Sequence, residues 1–151
     1  MTQQNISVYI HWPFCKSKCP YCDFNSHVRE KISYDDWQAA YLKELFYFKD
    51  VLRDKRISSI FFGGGTPSLA KPKLMEKIID SLSNLACFDE QIEITLEANP
   101  TSIEAQKFND FKTAGINRVS VGIQSLNDQH LKFLGREHSS LEAKKALDIA
   151  E

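Results

Sequence analysis

Ile92-Glu93-Ile94-Thr95-Leu96-Glu97 and Arg118-Val119-Ser120-Val121-Gly122-Ile123-Gln124 carry the alternation that decides the fold class of this chain. Ile92, Ile94 and Leu96, like Val119, Val121 and Ile123, take one face of an extended run, and Glu93, Thr95 and Glu97, like Ser120 and Gln124, take the other. Two further strands are expected upstream, Ile6 to Trp12 and Ser58 to Phe62, with helical periodicity filling the gaps. Four successive βα units imply parallel strands with right-handed crossovers. Strands of a doubly wound sheet, covered by helices on both sides, are apolar on both faces. A polar face instead suits an α/β barrel whose lumen holds a ligand, so the barrel is preferred; Phe61, between Ile60 and Phe62, obeys this less well. About eight strands are needed to fill such a barrel. Four units therefore make only its N-terminal half, and the last strand is expected to present an open edge.

The first helix is predicted from about Asp35 to Leu52, with Trp37, Tyr41, Leu45, Phe48 and Leu52 on one face and Ser33 with Asp36 as a capping box. A second begins near Pro72 and carries Leu74, Met75, Ile78, Ile79 and Leu82. A third follows Pro100, with Thr101 and Glu104 as its capping box, Ile103, Phe108 and Phe111 as its buried side and Gly115 as a left-handed stop. The fourth starts at Ser139, and Ala143, Ala146, Leu147 and Ala150 continue it to the last residue.

Composition narrows the class. The 151 residues are 42% hydrophobic and 26% charged, with 19 basic and 20 acidic side chains and a net charge of −1. That suffices for one buried core without disorder or a disulfide framework. No run of Lys or Arg calls for nucleic acid or an anionic membrane. Met1 to Ile10 hold five polar residues and lack the basic-then-apolar order of a secretory leader, and no apolar stretch reaches the length of a membrane span. A cytoplasmic protein with reduced thiols is expected, its four cysteines ligands or bystanders.

Cys15, Cys19 and Cys22 form C-x3-C-x2-C directly after the first strand. Three thiolates on one short loop can hold three irons of a [4Fe-4S] cube, leaving the fourth iron open to a substrate or cofactor. The alternatives are a zinc site completed by His11 or His27, and three unrelated thiols. Zinc sites more often come as paired C-x2-C arms, which this loop lacks. Cys87 is expected to be a small buried hydrophobe outside the site. Gly63-Gly64-Gly65-Thr66 ends the second strand, where missing side chains would let a ligand approach the backbone. Glu97 and Gln124 end the third and fourth. All of these features share the carboxyl-terminal rim, where barrel active sites sit.

These residues resemble the radical S-adenosylmethionine (SAM) superfamily, whose hallmark is C-x3-C-x2-C after the first strand of a partial barrel. The motifs Tyr9-Ile-His-Trp-Pro-Phe-Cys15, Gly63-Gly-Gly-Thr-Pro-Ser68, Leu96-Glu-Ala-Asn-Pro100, Asn117-Arg-Val-Ser-Val-Gly-Ile-Gln-Ser125 and Leu134-Gly-Arg136 look like those of the group containing anaerobic coproporphyrinogen III dehydrogenases and the haem chaperones. The resemblance implies that Cys15, Cys19 and Cys22 bind the cluster and that SAM chelates the free iron. It further implies that Tyr9 and Tyr21 lie beside SAM, that Gly64, Gly65 and Thr66 receive its polar groups, and that Glu97 accepts a hydrogen bond from it. Gln124 and Arg136 match positions that face a second SAM in the dehydrogenase. The implied chemistry is electron transfer from the reduced cluster into SAM, which breaks a carbon–sulfur bond and releases a 5′-deoxyadenosyl radical.

Two departures bear on the branch. Asp23 and Phe24 follow Cys22, where dehydrogenases carry a further cysteine two residues on, and their long extension before the first strand is missing. Both favour the haem chaperones, which bind haem for delivery to an acceptor, and argue against the oxidative decarboxylation of propionates. The implied partners are SAM, haem or a porphyrinogen, an electron-donor protein and a haem-accepting protein. Residues 1–151 would be the radical SAM core domain cut after its fourth βα unit, with the later strands, a His-Asn-x-x-Tyr-Trp motif and the C-terminal domain lying beyond Glu151. The competing expectations are a working coproporphyrinogen dehydrogenase and an inactive fragment of a split gene.

Overall fold

In a computed structural model the chain runs β1 (Gln4–Trp12), β2 (Phe14–Cys15), β3 (His27–Val28), α1 (Tyr34–Tyr47), α2 (Lys49–Leu52), β4 (Lys55–Gly64), a 3-10 turn (Pro67–Leu69), α3 (Pro72–Leu85), β5 (Cys87–Ala98), α4 (Ser102–Ala105), α5 (Phe108–Thr113), β6 (Arg118–Val121), α6 (Asp128–Phe133) and α7 (Ser140–Ala150). It describes residues 3–151 apart from the side chains of Ser102 and Ile103. The expected burial of Ile103, and the first two residues of the leader argument, therefore lie outside the described residues.

β1, β4, β5 and β6 form one sheet in that order, every neighbour parallel. Its register carries the sequence alternation across the strands. Ile10 lies opposite Phe62, Phe62 opposite Leu96 and Leu96 opposite Val119, whereas Tyr9, Phe61, Thr95 and Arg118 make the adjacent row. The apolar row, with Ile60 and Ile94, packs against Leu74, Met75, Ile78, Ile79 and Leu82 of α3 and Phe111 of α5. Ile78 and Leu82 have no exposed surface. Burying such side chains contributes about 1.5–3 kcal/mol each. Pro72 opens α3 at its first turn, as expected. Phe61 does sit on the polar face, where its ring stacks on Tyr9 at 6.1 Å.

Several expectations need correction. The first helix breaks at Phe48, which ends α1 and caps α2; its ring leaves the apolar stripe and is exposed. Ser33 accepts from the Asp36 N–H at 3.5 Å, the one half of the expected box found among the described residues. The third helix splits into α4 and α5; the Thr101 hydroxyl accepts from the Glu104 N–H and donates to Glu104 Oε1, both at 3.3 Å, in place of the expected return bond from the Thr101 backbone N–H. The Glu104 carboxylate also accepts from the Asn99 N–H at 3.0 Å and from the Ser68 hydroxyl. Gly115 does end α5 left-handed, with φ +103. β6 stops at Val121 rather than Gln124: the Ile123 N–H folds back onto Val121 O and the Ser125 N–H onto Ile123 O. α7 carries the full Ser139–Glu142 capping box, and Ala143 and Ala146 are buried, but Leu147 and Ala150 are exposed. Cys87 is exposed too, because it opens β5 at the end of the sheet away from the other cysteines. No periodicity announced α6, whose Asn127 caps two backbone N–H groups, or the β2–β3 pair.

Candidate functional site

The cysteine loop grows out of β1 through an aromatic clamp. The Trp12 ring meets Phe14 edge-on at 5.3 Å and stacks on Tyr34 at 5.9 Å, while Trp37 stands edge-on to Phe14 at 5.2 Å. The Tyr41 hydroxyl donates to His11 O at 2.6 Å, which ties α1 to the same strand; burial and the nearby Glu44 raise the pKa of that hydroxyl far above the ordinary range. β2 then pairs with β3, and the His27 N–H donates to Pro13 O at 2.7 Å, so residues 16–26 close as a loop. Inside it the Cys22 N–H donates to Cys19 O at 3.0 Å.

Cys15, Cys19 and Cys22 are half-buried and line one cavity of about 320 Å³. Tyr21, Gly65, Thr66, Glu97, Gln124 and Arg136 share its wall. Nine of the eleven expected cofactor and metal positions thus converge from separate strand ends on one space. Tyr9 and Gly64 do not line it. Tyr9 lies across Gly63 from Glu97 and hydrogen-bonds the His11 ring at 3.2 Å. Gly64 has φ +112, which favours glycine, and its N–H donates to Glu97 Oε2 at 3.2 Å.

Gly65, on the cavity wall, also answers a need of the chain itself. A Cβ there would stand 2.6 Å from Phe14 O, and the Gly65 and Thr66 N–H groups donate to Trp12 O and Phe14 O at 2.6 and 2.8 Å. The bare backbone lets β4 run tight against the cysteine loop itself. Thr66 still presents its hydroxyl, 3.6 Å from Cys15 Sγ.

Arg136 closes the cavity from the other side. Its Nη1 lies 3.6 Å from Cys19 Sγ and 3.4 Å from the Tyr21 hydroxyl, and its Nη2 donates to Gly122 O at 2.6 Å. Gln124 sits at φ +68, a left-handed conformation costly for a residue with a side chain, on the turn that follows β6. Burial raises the Glu97 carboxyl above its ordinary pKa, opposed by the Gly64 N–H. Burial also raises Tyr21, against the pull of Arg136.

The zinc alternative fares worse in this geometry. His11 is held by Asn25 O at 2.8 Å and His27 is exposed, and neither lines the cysteine cavity. Among the described residues no three His, Cys, Asp or Glu side chains converge where a single ion could sit. Thiolates spread over separate irons need no such convergence. A hydroxyl and a guanidinium directed at two of the sulfurs also suit anionic thiolates, so the residues fit a cluster.

Asn99, Glu104 and His138 line the same cavity and were missed. Glu104 reads as a helix cap in the sequence. His138, 5% exposed, bonds Ile123 O at 3.0 Å, and burial followed by the Arg136 charge lowers its pKa. Only the position of Asn99, just past a strand end and before Pro100, could have drawn attention to it.

Comparison with known proteins follows the same lines. The family model described as Radical SAM superfamily matches residues 9–151. A Haemophilus influenzae protein named heme chaperone HemW is 44% identical over 151 residues, covering 97% of this chain and 39% of its own length. The Escherichia coli heme chaperone HemW is 42% identical over 146 residues, 96% of this chain and 39% of its own. The solved structure of coproporphyrinogen III oxidase (HemN) from Escherichia coli superposes with a TM-score of 0.86 at 26% identity, over 98% of this chain and 34% of that one. The chain therefore spans about two fifths of the length of the curated relatives it matches. No helix among the described residues is long and apolar enough to cross a membrane.

Proposed function

This chain belongs to the radical SAM superfamily, and on that premise we propose that it is the cluster- and SAM-binding part of a cytoplasmic haem chaperone. The carrying observation is the convergence of Cys15, Cys19 and Cys22 with Gly65, Thr66, Glu97 and Arg136 on one cavity at the carboxyl ends of parallel strands. Cys15, Cys19 and Cys22 would hold three irons of a [4Fe-4S] cluster. When bound, such a cluster supplies an electron to SAM at its unligated iron.

The chain's own part is to bind, orient and shield. The loop closed by β2 and β3 fixes the spacing of the thiols. Glu97, shifted toward its protonated form by burial, and the Thr66 hydroxyl offer hydrogen-bonding groups to a ribose or amino-acid moiety. The Arg136 guanidinium sets positive charge beside the sulfurs. Tyr9, one strand further out behind Gly63, and Gly64, whose N–H holds Glu97, support the wall rather than form it. Gln124 reaches the cavity from the turn after β6.

Membership of the haem-chaperone branch rests on Phe24, an exposed ring on the cavity wall where the dehydrogenases carry a cysteine, and on the two HemW relatives. The second reading, a coproporphyrinogen III dehydrogenase, draws on the superposition with HemN. Anaerobic reconstitution with iron and sulfide, both counted, followed by the spin signal of the reduced cluster with and without SAM, tests the site. Preferential uptake of zinc would refute it. Haem binding without turnover of coproporphyrinogen III identifies the carrier, and turnover with reductant and SAM identifies the dehydrogenase.

A further inference from the structure

Asn99, just beyond the end of β5, joins two side chains that each reach a cysteine sulfur. Its Oδ1 accepts from Arg136 Nη2 at 2.7 Å, and its Nδ2 donates to Thr66 Oγ1 at 3.3 Å. The orientation of the amide is forced, because a guanidinium can only donate, so the oxygen must face Arg136 and the nitrogen Thr66. Thr66 Oγ1 thereby accepts a hydrogen bond from Asn99 and keeps its own hydrogen for Cys15 Sγ, 3.6 Å away. On the other branch, Arg136 Nη1 stands 3.6 Å from Cys19 Sγ while Nη2 is held between Asn99 and Gly122 O.

Asn99 is itself anchored. Its backbone N–H donates to the Glu104 carboxylate, which also takes the hydroxyl of Ser68; Glu104 and Ser68 are 4% and 0% exposed. Ser68 follows β4 and Glu104 lies in α4, so the amide is fixed by the loops on both sides of it.

We propose that Asn99 is a positioning residue that aims Thr66 at Cys15 and Arg136 at Cys19, and so sets the reduction potential of the cluster those thiolates hold. The inference rests on the cluster reading above and assigns Thr66 and Arg136 a role toward the sulfurs distinct from contact with SAM. Hydrogen bonds and positive charge at thiolate sulfurs favour the reduced, more negative cluster and raise its potential. Loss of Asn99 releases Thr66 Oγ1 and removes one of the two acceptors that orient Arg136 Nη2, leaving Gly122 O alone on it.

The test compares the reconstituted chain with Asn99→Ala, Thr66→Val and the double substitution, measuring iron, sulfide and the midpoint potential by anaerobic titration. Asn99→Ala is expected to keep the iron count and to lower the potential by at least tenfold in the reduction equilibrium, about 59 mV for one electron. Thr66→Val, which leaves the Asn99–Arg136 bond in place, shifts the potential in the same direction by less. The double substitution falls short of the sum, because Asn99→Ala has already released Thr66. An unchanged potential in Asn99→Ala, or full additivity, overturns the proposal. Should Asn99→Ala hold no iron, Thr66→Val decides: a potential equal to that of the unsubstituted chain overturns it, and a negative shift supports it. Absence of iron from the unsubstituted chain refutes the cluster reading and this inference together.

Discussion

Replacing Glu104 with Ala removes one carboxylate from two junctions. Glu104 Oε2 takes the Asn99 N–H at 3.0 Å and the Ser68 hydroxyl, and Oε1 takes the Thr101 hydroxyl at 3.3 Å. The side chain is 4% exposed and Ser68 is fully buried, so water cannot replace the lost acceptor there. Hydrogen bonds to a charged acceptor are worth about 1.5–3 kcal/mol each. Two short-range partners on Oε2 give a loss of about 4 kcal/mol by the same measure, with the weaker Thr101 contact adding little. At about 2–4 °C per kcal/mol for a domain of this size, Tm should fall by about 8–16 °C. Glu104→Gln keeps one oxygen that can face Asn99 and Ser68, so it should cost about half as much. Urea denaturation followed by circular dichroism measures both. A loss below about 1 kcal/mol for Glu104→Ala, or equal losses for Ala and Gln, would show that the carboxylate does not bridge the loops after β4 and β5.

Cys19→Ala should abolish iron retention after anaerobic reconstitution while Cys87→Ala leaves it intact, since Cys87 lies at the opposite end of β5; equal loss would undo the ligand assignment. Gly65→Ala drives a Cβ to 2.6 Å from Phe14 O and 2.8 Å from Phe14 C, both backbone atoms, and should cost about 1–3 kcal/mol in thermal unfolding. A loss within about 0.5 kcal/mol would mean that β2 yields freely. His138 binds its proton less readily folded than unfolded, so the unfolded chain holds more protons below the ordinary histidine pKa of 6.5. Stability should therefore be full above that value and fall as the pH drops from it toward the lower folded pKa. His138→Gln should flatten that dependence in denaturation curves recorded between about pH 7 and 5, and an unaltered slope would exclude His138 as its source.

What could be read from the sequence was whatever one-dimensional spacing determines. Period-two alternation in Ile92 to Glu97 placed Ile94 and Leu96 against α3 and Glu97 at the cavity, and the parallel register then held Phe62 and Ile10 in the same row. The spacing of the three cysteines fixed their loop because they are neighbours in the chain. Breaks inside apolar stripes left no such mark. Phe48 satisfies helical spacing as well as Leu45 does, yet the chain turns there and the ring is exposed. β2 and β3 are two residues each, too short for any period, and pair only because the loop between them folds back.

Polar residues with two plausible partners were the other source of error, and they account for most of what was missed at the site. Thr101 and Glu104 have the spacing of a capping box, but the acid is also within reach of the Asn99 N–H and of the Ser68 hydroxyl, which is fully buried and has no water to turn to. An unpaired buried donor costs more than an unpaired exposed one, so the tertiary partners take Oε2 and leave Oε1 to the Thr101 hydroxyl. Gly65 likewise carries a demand of the chain itself, the close approach of Phe14, that a glycine run after a strand does not announce. Arg136 is far from Cys19 in sequence, and only the folded chain shows that its guanidinium is divided among a sulfur, a carbonyl and an amide. A motif can therefore name the residues that meet at such a cavity, but which of them faces the cofactor and which faces its ligands depends on how the buried donors and acceptors pair. The potential of the Asn99 variants would measure that division directly.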